Sequence, residues 1–444
     1  MKYKKLMNKY PIILFLLPNL LLAQDTLSLM DAIAIGMWEN YEIKISSKNQ
    51  EINKINNNWG NAGALPTIQI FAKKEESLSD QSNNPASFIQ QELRSTNLNG
   101  NASINWTLFN GFAIKANKNK LKYLEEISNN NATLTIENTI QGIILQYYNC
   151  VLQQNKLMLL EKVVKLAKSR LKYEKTKYDI GVSSKMELLQ IENAMLTDSS
   201  NIILQKLNYT NALKNLNLTL GNSIEKDWFL NDKIDDKIQI FNHDDLKAKT
   251  LKNNTNIKNQ FYNIQLAKQD IKLAMSPFYP IISISSGGAY NESHYDLGEL
   301  GNSMNNTGKS INYFANFSVN FRIFDGGKLY QNIRSLKIKN EVHDLQLEKM
   351  QNDVLLQLSI NNDKYNSCIT AYSLNQKAFK IAEKNYNLAI DKKNRGTINS
   401  FMLRDIEIAF ITSGINAQQA AYNLIESKIA LLKITGGIIQ EFNK

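Results

Sequence analysis

The chain of 444 residues has six prolines, 19 glycines, two cysteines and three histidines, and each shortage excludes something. Pro and Gly punctuate regular structure, so the long stretches that lack both favour long helices over compact globular packing. Cys150 and Cys368 supply neither a disulfide framework nor a metal cluster, and two free, buried thiols inside helices are expected in preference to a bridge. His243, His294 and His343 are scattered, with no His four residues away on a helix and no Cys nearby. No Gly-rich phosphate loop and no G-x-S-x-G motif occur, which argues against an enzyme, and no metal or cofactor is expected. Beyond the N-terminal segment no apolar run is long enough for a transmembrane helix, which leaves a β-barrel as the way for such a chain to span a membrane.

That N-terminal segment reads as a secretory signal over residues 1–23. Lys2, Lys4, Lys5 and Lys9 precede an apolar core from Ile12 to Leu22, and Ala23 offers a small residue for cleavage. The formal net charge is +11, and removing residues 1–23, which hold those four lysines and no Asp or Glu, leaves +7. The excess is spread along the chain without a basic block, so no nucleic-acid partner is expected.

The most informative feature present is a tandem duplication. Phe109-Asn110-Gly111 is matched by Phe324-Asp325-Gly326, 215 residues later, and the same offset pairs Gly181 with Gly396, Leu188 with Leu403, Leu216 with Leu431 and Gly221 with Gly436. Upstream the offset changes by one, pairing Asn40 with Asn254, Ile43 with Ile257 and Pro66 with Pro280. The first repeat covers residues 24–221, with strands at about 66–73 and 98–109 and a helical hairpin at about 112–220. A connecting segment follows at 222–243. The second repeat covers 244–436, with strands at about 280–290 and 310–324 and a hairpin at about 328–435, and 437–444 form a tail. Each half opens with one modest helix, about Ser28–Asn58 and Asp244–Met275. Pro66 and Pro280, which can neither continue a helix nor donate to a ladder, are expected as kinks before the strands.

The strands alternate apolar and polar residues, most clearly from Ile311 to Ile323 and from Ala102 to Leu108. Period two with one apolar face describes both a half-buried sandwich strand and a membrane strand, which needs about 9–11 residues when tilted. Four strands cannot close a membrane barrel, since the smallest have eight and an open edge in lipid is costly. A spanning reading therefore requires an oligomer. The hairpin helices carry stripes such as Ile140, Ile144, Tyr147 and Val151, and 66 residues of helix would reach roughly 100 Å. Gly181 and Gly396 are expected to reverse the chain, since Gly takes positive φ without penalty.

The segments Leu29-x-x-Ala32 through Asn40-Tyr41-Glu42-Ile43, Leu65-Pro66, Asn105-Trp106-x-Leu108-Phe109-Asn110-Gly111, Tyr178-x-x-Gly181, Phe324-Asp325-Gly326-Gly327 and Gly396-Thr397 stand in an order that resembles the TolC family of outer-membrane efflux proteins. The resemblance covers about residues 25–437. It implies a homotrimer, mainly α-helical, in which a 12-stranded β-barrel in outer-membrane lipid continues into a periplasmic α-helical barrel. It also implies a passive exit duct for cargo from an inner-membrane pump, reached through a periplasmic adaptor. The resemblance places the periplasmic gate at the hairpin tips, where Glu187 and Asp405 match acidic family positions, while Met402, Lys393 and Ile398 replace an aspartate, a tyrosine and an arginine. It assigns adaptor docking to Gly181-Val182-Ser183 and Gly396-Thr397. A secreted or periplasmic long-helix adaptor or adhesin without channel activity is the alternative, and it leaves the alternating strand pairs unexplained.

Overall fold

The computed structural model describes residues 26–88, 90–232, 238–296 and 306–442. The signal reading of residues 1–23, five residues of the 222–243 connection and the centre of the 291–309 loop lie outside the described residues. The elements run β1 (Thr26–Leu27), α1 (Leu29–Glu39), α2 (Tyr41–Asn56), β2 (Thr67–Asp80), β3 (Glu92–Asn110), α3 (Ala113–Asp179), α4 (Lys185–Leu220), β4 (Phe229–Leu230), α5 (His243–Asn253), α6 (Thr255–Met275), β5 (Ile281–Asp296), β6 (Asn306–Asn320), α7 (Lys328–Asn394), α8 (Ser400–Ile434) and α9 (Ile438–Phe442). From α1 to α4 and from α5 to α8, with β2 and β3 answered by β5 and β6, the two halves repeat one plan.

Each opening helix is two helices, where the sequence suggested one. The break falls at Asn40 and Asn254, an equivalent pair in the duplication. Asn40 has extended ψ of 129° and its side chain accepts a hydrogen bond from Ile43 N. Asn254 has ψ of 120° and accepts from Asn256 N and Ile257 N. An Asn side chain can replace the backbone partner that a first helical turn lacks, so one residue ends a helix and starts the next.

All four long helices stop in the same way. Gly181 at φ 74° donates to Tyr178 O while Val182 N reaches Lys177 O at 2.8 Å. Gly396, Gly221 and Gly436 repeat the pattern after α7, α4 and α8, each with positive φ. This paired closure satisfies the last carbonyls of a helix and needs a left-handed residue, which Gly supplies.

The strands form one antiparallel sheet in the order β2-β3-β5-β6. They reach further than the alternating segments indicate: β2 runs to Asp80 and β3 starts at Glu92, while β5 runs to Asp296. Beyond the apolar stretch the backbone ladder continues with polar pairs such as Ser77 opposite Ser95, whose hydroxyls lie 2.7 Å apart. β6 ends at Asn320, short of the expected 324, because Asn320 already pairs with Ile281, and the preceding Pro280 has no N–H to offer. Pro66 and Pro280 stand immediately before β2 and β5.

The described residues pack as two compact units. One takes the segment up to Gly36 with residues 143–236 and 375–422. Its hairpin core is Val163, Tyr386, Ala389, Leu403 and Phe410, with the Tyr386 and Phe410 rings stacked at 4.8 Å. Both hairpin turns lie in this unit. The other takes residues 37–142, 237–374 and 423–442, and holds the sheet. Its helical core gathers Leu246, Ile257, Leu358, Tyr365, Leu424 and Leu431. Cys150 is buried and free, and Cys368 is free and half-buried, each inside a helix.

Two turn glycines separate conformational strain from close packing. Gly181 has open space around an added Cβ, so Gly181→Ala should cost only the left-handed penalty, about 1–2 kcal/mol. A Cβ at Gly111 would lie 2.1 Å from the backbone oxygen of Ser276, which cannot swing aside. Thermal unfolding of the detergent-solubilised variants should show Gly111→Ala losing clearly more stability than Gly181→Ala.

Candidate functional site: the hairpin tips and the apolar sheet face

At the hairpin tips Ser184 caps α4, its hydroxyl accepting from Glu187 N, and this sets Glu187 in the first turn. The Glu187 carboxylate accepts from Lys393 Nζ at 2.5 Å and from Ser400 Oγ at 2.6 Å. Lys393 lies in the last turn of α7 and Ser400 opens α8, so one carboxylate of the first hairpin holds both helices of the second. An acid at a helix start and a base at a helix end also oppose the helix dipoles favourably. The hydrogen bonds from Lys393 and Ser400 hold the Glu187 carboxyl below its ordinary value of 4.5. Of the gate residues suggested by sequence, the fold joins Glu187 and Lys393. Ile398 packs half-buried against the Val163, Tyr386 and Leu403 core. Met402 and Asp405 are exposed on α8.

The docking residues occupy the turns. Gly181, Val182, Gly396 and Thr397 are exposed. Ser183 is half-buried and its hydroxyl donates to the buried Glu174. Thr397 Oγ1 donates to Lys392 O at 2.9 Å.

A second polar cluster went unmarked in the sequence reading. Arg404 of α8 donates to both oxygens of Asp198 on α4, at 2.6 and 2.8 Å, and to Glu407 at 3.1 Å. Arg170 of α3 donates to Glu407 and to the hydroxyl of Tyr386 on α7, which itself donates to Glu407 at 3.0 Å. All four hairpin helices therefore contribute. The Asp198 and Glu407 side chains are only 2% exposed. Burial pushes the Tyr386 phenol up, with the Glu407 charge adding to it. The Asp198 hydrogen bonds push the Arg404 guanidinium up despite burial. A signal was available: only six basic residues are Arg, among 52 Lys and Arg together, and two of the six meet here. In a lysine-rich chain an Arg marks places where a planar, two-pronged donor is needed. A cavity of about 330 Å³ is bounded by both clusters, with Tyr173, Gln190 and Ile191 in its wall.

Both faces of the sheet are largely open in the single chain, and one of them is apolar. Register places Ile70, Ala102, Gly288 and Tyr313 in one rung on one face, beside the rung of Ile68, Ile104, Ser286 and Ala315. Ile70 and Tyr313 are both 84% exposed and Ile68 is 72% exposed. On the opposite face stand Thr67, Asn105, Ser285 and Asn316, then Gln69, Ser103, Gly287 and Phe314. Ser103, Ser285 and Phe314 on that face are half-buried. The apolar band follows β5 from Ile282 to Tyr290, about the nine residues that a tilted strand needs to cross hydrocarbon. The next rung on the apolar face carries Lys74, Glu292 and Lys309, with Lys309 paired to Glu292 at 3.3 Å, and closes the band. At the other end Phe109, Phe112 and Tyr279 form an edge-to-face trio with centroids 5.3 to 6.4 Å apart, and Trp106 Nε1 donates to Ala64 O. β2 and β6 are the two edges, each paired on one side only among the described residues.

Among the described residues no group of His, Cys, Asp and Glu could hold a metal, and no helix is long and apolar enough to cross a membrane. A comparison with sequence families matches residues 56–222 and 246–437 to the family described as "Outer membrane efflux protein". A comparison with curated proteins gives no significant match. Several solved structures share the fold. The outer membrane channel CmeC of Campylobacter jejuni is 16% identical, with a TM-score of 0.74 over 94% of this chain and 89% of that one. A membrane protein from Pseudomonas aeruginosa is 12% identical, with a TM-score of 0.73 over 92% of each chain. The outer membrane channel MtrE of Neisseria gonorrhoeae, in its open state, is 15% identical, with a TM-score of 0.68 over 92% of this chain and 89% of that one.

The two tip clusters should respond differently to change. A carboxylate with a lowered folded value stabilises fully above its ordinary 4.5, and that stabilisation is lost as pH falls through the folded value. The Glu187 latch should therefore hold constant from pH 7 to pH 5 and weaken at more acidic pH. Hydrogen exchange at the tips, taken as a ratio to Glu187→Gln to cancel intrinsic pH effects, should show protection that disappears only below that range. Arg404→Met strands the buried Asp198 carboxylate, while Glu407 keeps Arg170 and Tyr386, and should cost about 3–5 kcal/mol in chemical denaturation.

Proposed function

The chain belongs to the outer membrane efflux protein family, and from that membership we propose that three copies close a 12-stranded barrel and act as a passive exit duct gated at the hairpin tips. It is an outer-membrane transport protein, not an enzyme. The observation that carries the reading is the exposed apolar face of a sheet with two open edges. A face carrying residues such as Ile70 and Tyr313 calls for an apolar cover, and in the outer membrane lipid supplies it. In lipid, unpaired edges are costly. Setting β6 of one copy beside β2 of the next satisfies both requirements at once, and three fourfold sheets give a barrel size within the known range.

The tips supply the gate in this reading. Glu187 with Lys393 and Ser400, backed by the Arg170, Asp198, Arg404 and Glu407 cluster, holds one hairpin against the other. Opening separates these groups and rehydrates them. MtrE, which shares the fold, is a channel with an open state, so the architecture admits one. The exposed turns at Gly181-Val182 and Gly396-Thr397 form the docking surface for a periplasmic adaptor, which joins the duct to an inner-membrane pump. The adaptor or adhesin reading uses the long helices equally well. It gives no reason for the exposed apolar band or for the charged rung that ends it.

The mass of the protein extracted in detergent from the outer-membrane fraction, with bound detergent subtracted, should be that of three chains. A monomer soluble without detergent would remove the duct reading. In an assembled trimer, Asp405→Ala should reduce cation preference in planar-bilayer recordings, since a ring of three carboxylates favours cations. Unchanged ion selectivity would take Asp405 out of the gate.

A further inference from the structure

The wall of the proposed duct is legible from the face of the sheet opposite the apolar band. Four consecutive rungs of that face pass from Thr67 to Lys73 on β2. β3 contributes Asn105, Ser103, Asn101 and Asn99, and β5 adds Ser285, Gly287, Ala289 and Asn291. No charged side chain enters until Lys73, and Lys73 is paired with Glu75 of the same face at 2.6 Å. The lining is thus amide and hydroxyl, with no fixed net charge. It is interrupted by two aromatic rings, Phe71 on β2 and Phe314 on β6, which stand on adjacent rungs. Phe314 is seated by a glycine: a Cβ at Gly287 would come within 2.9 Å of Phe314 Cζ and 2.3 Å of Ala102 O. Phe71 is more than half exposed. The two rings lie on opposite edge strands, so closure of β6 of one copy onto β2 of the next would bring an aromatic pair to each junction.

We propose, resting on the duct reading, that the outer-membrane stretch of the passage is a charge-neutral, hydrogen-bonding wall with aromatic contacts at Phe71 and Phe314. Its cargo class is uncharged or zwitterionic organic molecules that combine an aromatic ring with polar groups. Amide and hydroxyl groups exchange hydrogen bonds with such a solute as water does, and the rings hold its flat face. A wall without fixed charge does not discriminate cations from anions, so whatever charge preference the channel shows arises elsewhere, at the tips.

The test uses the full-length protein in planar bilayers, with phenyl β-glucoside and methyl β-glucoside as paired neutral probes. Wild-type channels should be occupied by the phenyl glucoside about threefold more than by the methyl glucoside, the scale of one ring contact. In Phe71→Ser/Phe314→Ser the ratio should fall to about one. An unchanged ratio in that variant, or no preference in wild type, would overturn the aromatic wall. A second variant, Asn105→Asp, adds a carboxylate to each copy of the neutral lining and should shift the reversal potential in a KCl gradient towards potassium. No shift would mean that this face does not line the passage. If neither wild type nor Lys393→Ala conducts at all, the duct reading fails and this proposal fails with it; conduction without ring preference sinks the proposal alone.

Discussion

A backbone N–H or C=O left unpaired in hydrocarbon costs several kcal/mol, and β2 and β6 each present a row of them. In water such an edge would be a hazard for aggregation, usually blunted by charge or proline. Here the edge strands are long, and charge appears on β2 only from Lys73 onward, beyond the apolar band. That distribution suits an edge that must be paired by another copy. The duplication doubles the strand pair of one repeat into a four-stranded sheet, and in the proposed barrel further copies of the chain supply the remaining strands.

The constraint also organises the rest of the chain. Each strand pair leads along the chain into a long helical hairpin, so strands and helices are multiplied together. The junctions therefore need tight, repeated geometry, and they have it. Gly111 lies where no Cβ fits against Ser276, and the Phe109, Phe112 and Tyr279 rings pack edge to face beside it. The prolines at 66 and 280 stand immediately before β2 and β5 and leave the first ladder bond to the next residue. The Gly caps at 181 and 396 set where α3 and α7 stop, and beside these turns Glu187 meets Lys393 and Ser400.

The sequence carried the architecture because the architecture is periodic. Alternation in β6, the three-and-four stripe of α3 and the repeated glycines are local signals that survive without tertiary context. The breaks at Asn40 and Asn254 were missed because an Asn inside a helical pattern reads as a weak helix former until its side chain is seen to cap. The strand ends beyond Lys73 were missed because polar strands have no apolar period. The tips were half legible. Glu187 and Lys393 were marked only by their family-equivalent positions, and nothing in one dimension pairs residues 206 positions apart. The Arg170, Asp198, Arg404 and Glu407 cluster draws on four helices, so its members lie far apart in sequence and look like ordinary surface charges.

Why the tips are joined by charge and not by a larger apolar core follows from what they must do in the proposed cycle. Replacing buried ion pairs by packed hydrophobic side chains is often neutral or stabilising, so ion pairs are a poor choice for stability alone. An apolar interface that opened would expose its surface to water at a cost proportional to area. Charged groups that separate regain hydration, and the open state is penalised less. The apolar core of Val163, Tyr386, Leu403 and Phe410 is small and sits beside the polar cluster. The cavity of about 330 Å³ between the two clusters leaves the contact incompletely packed, and a joint of this composition has less dispersion energy to lose on opening. In the proposed cycle these directional hydrogen bonds would define the closed arrangement, and their rehydration would keep the open one within reach.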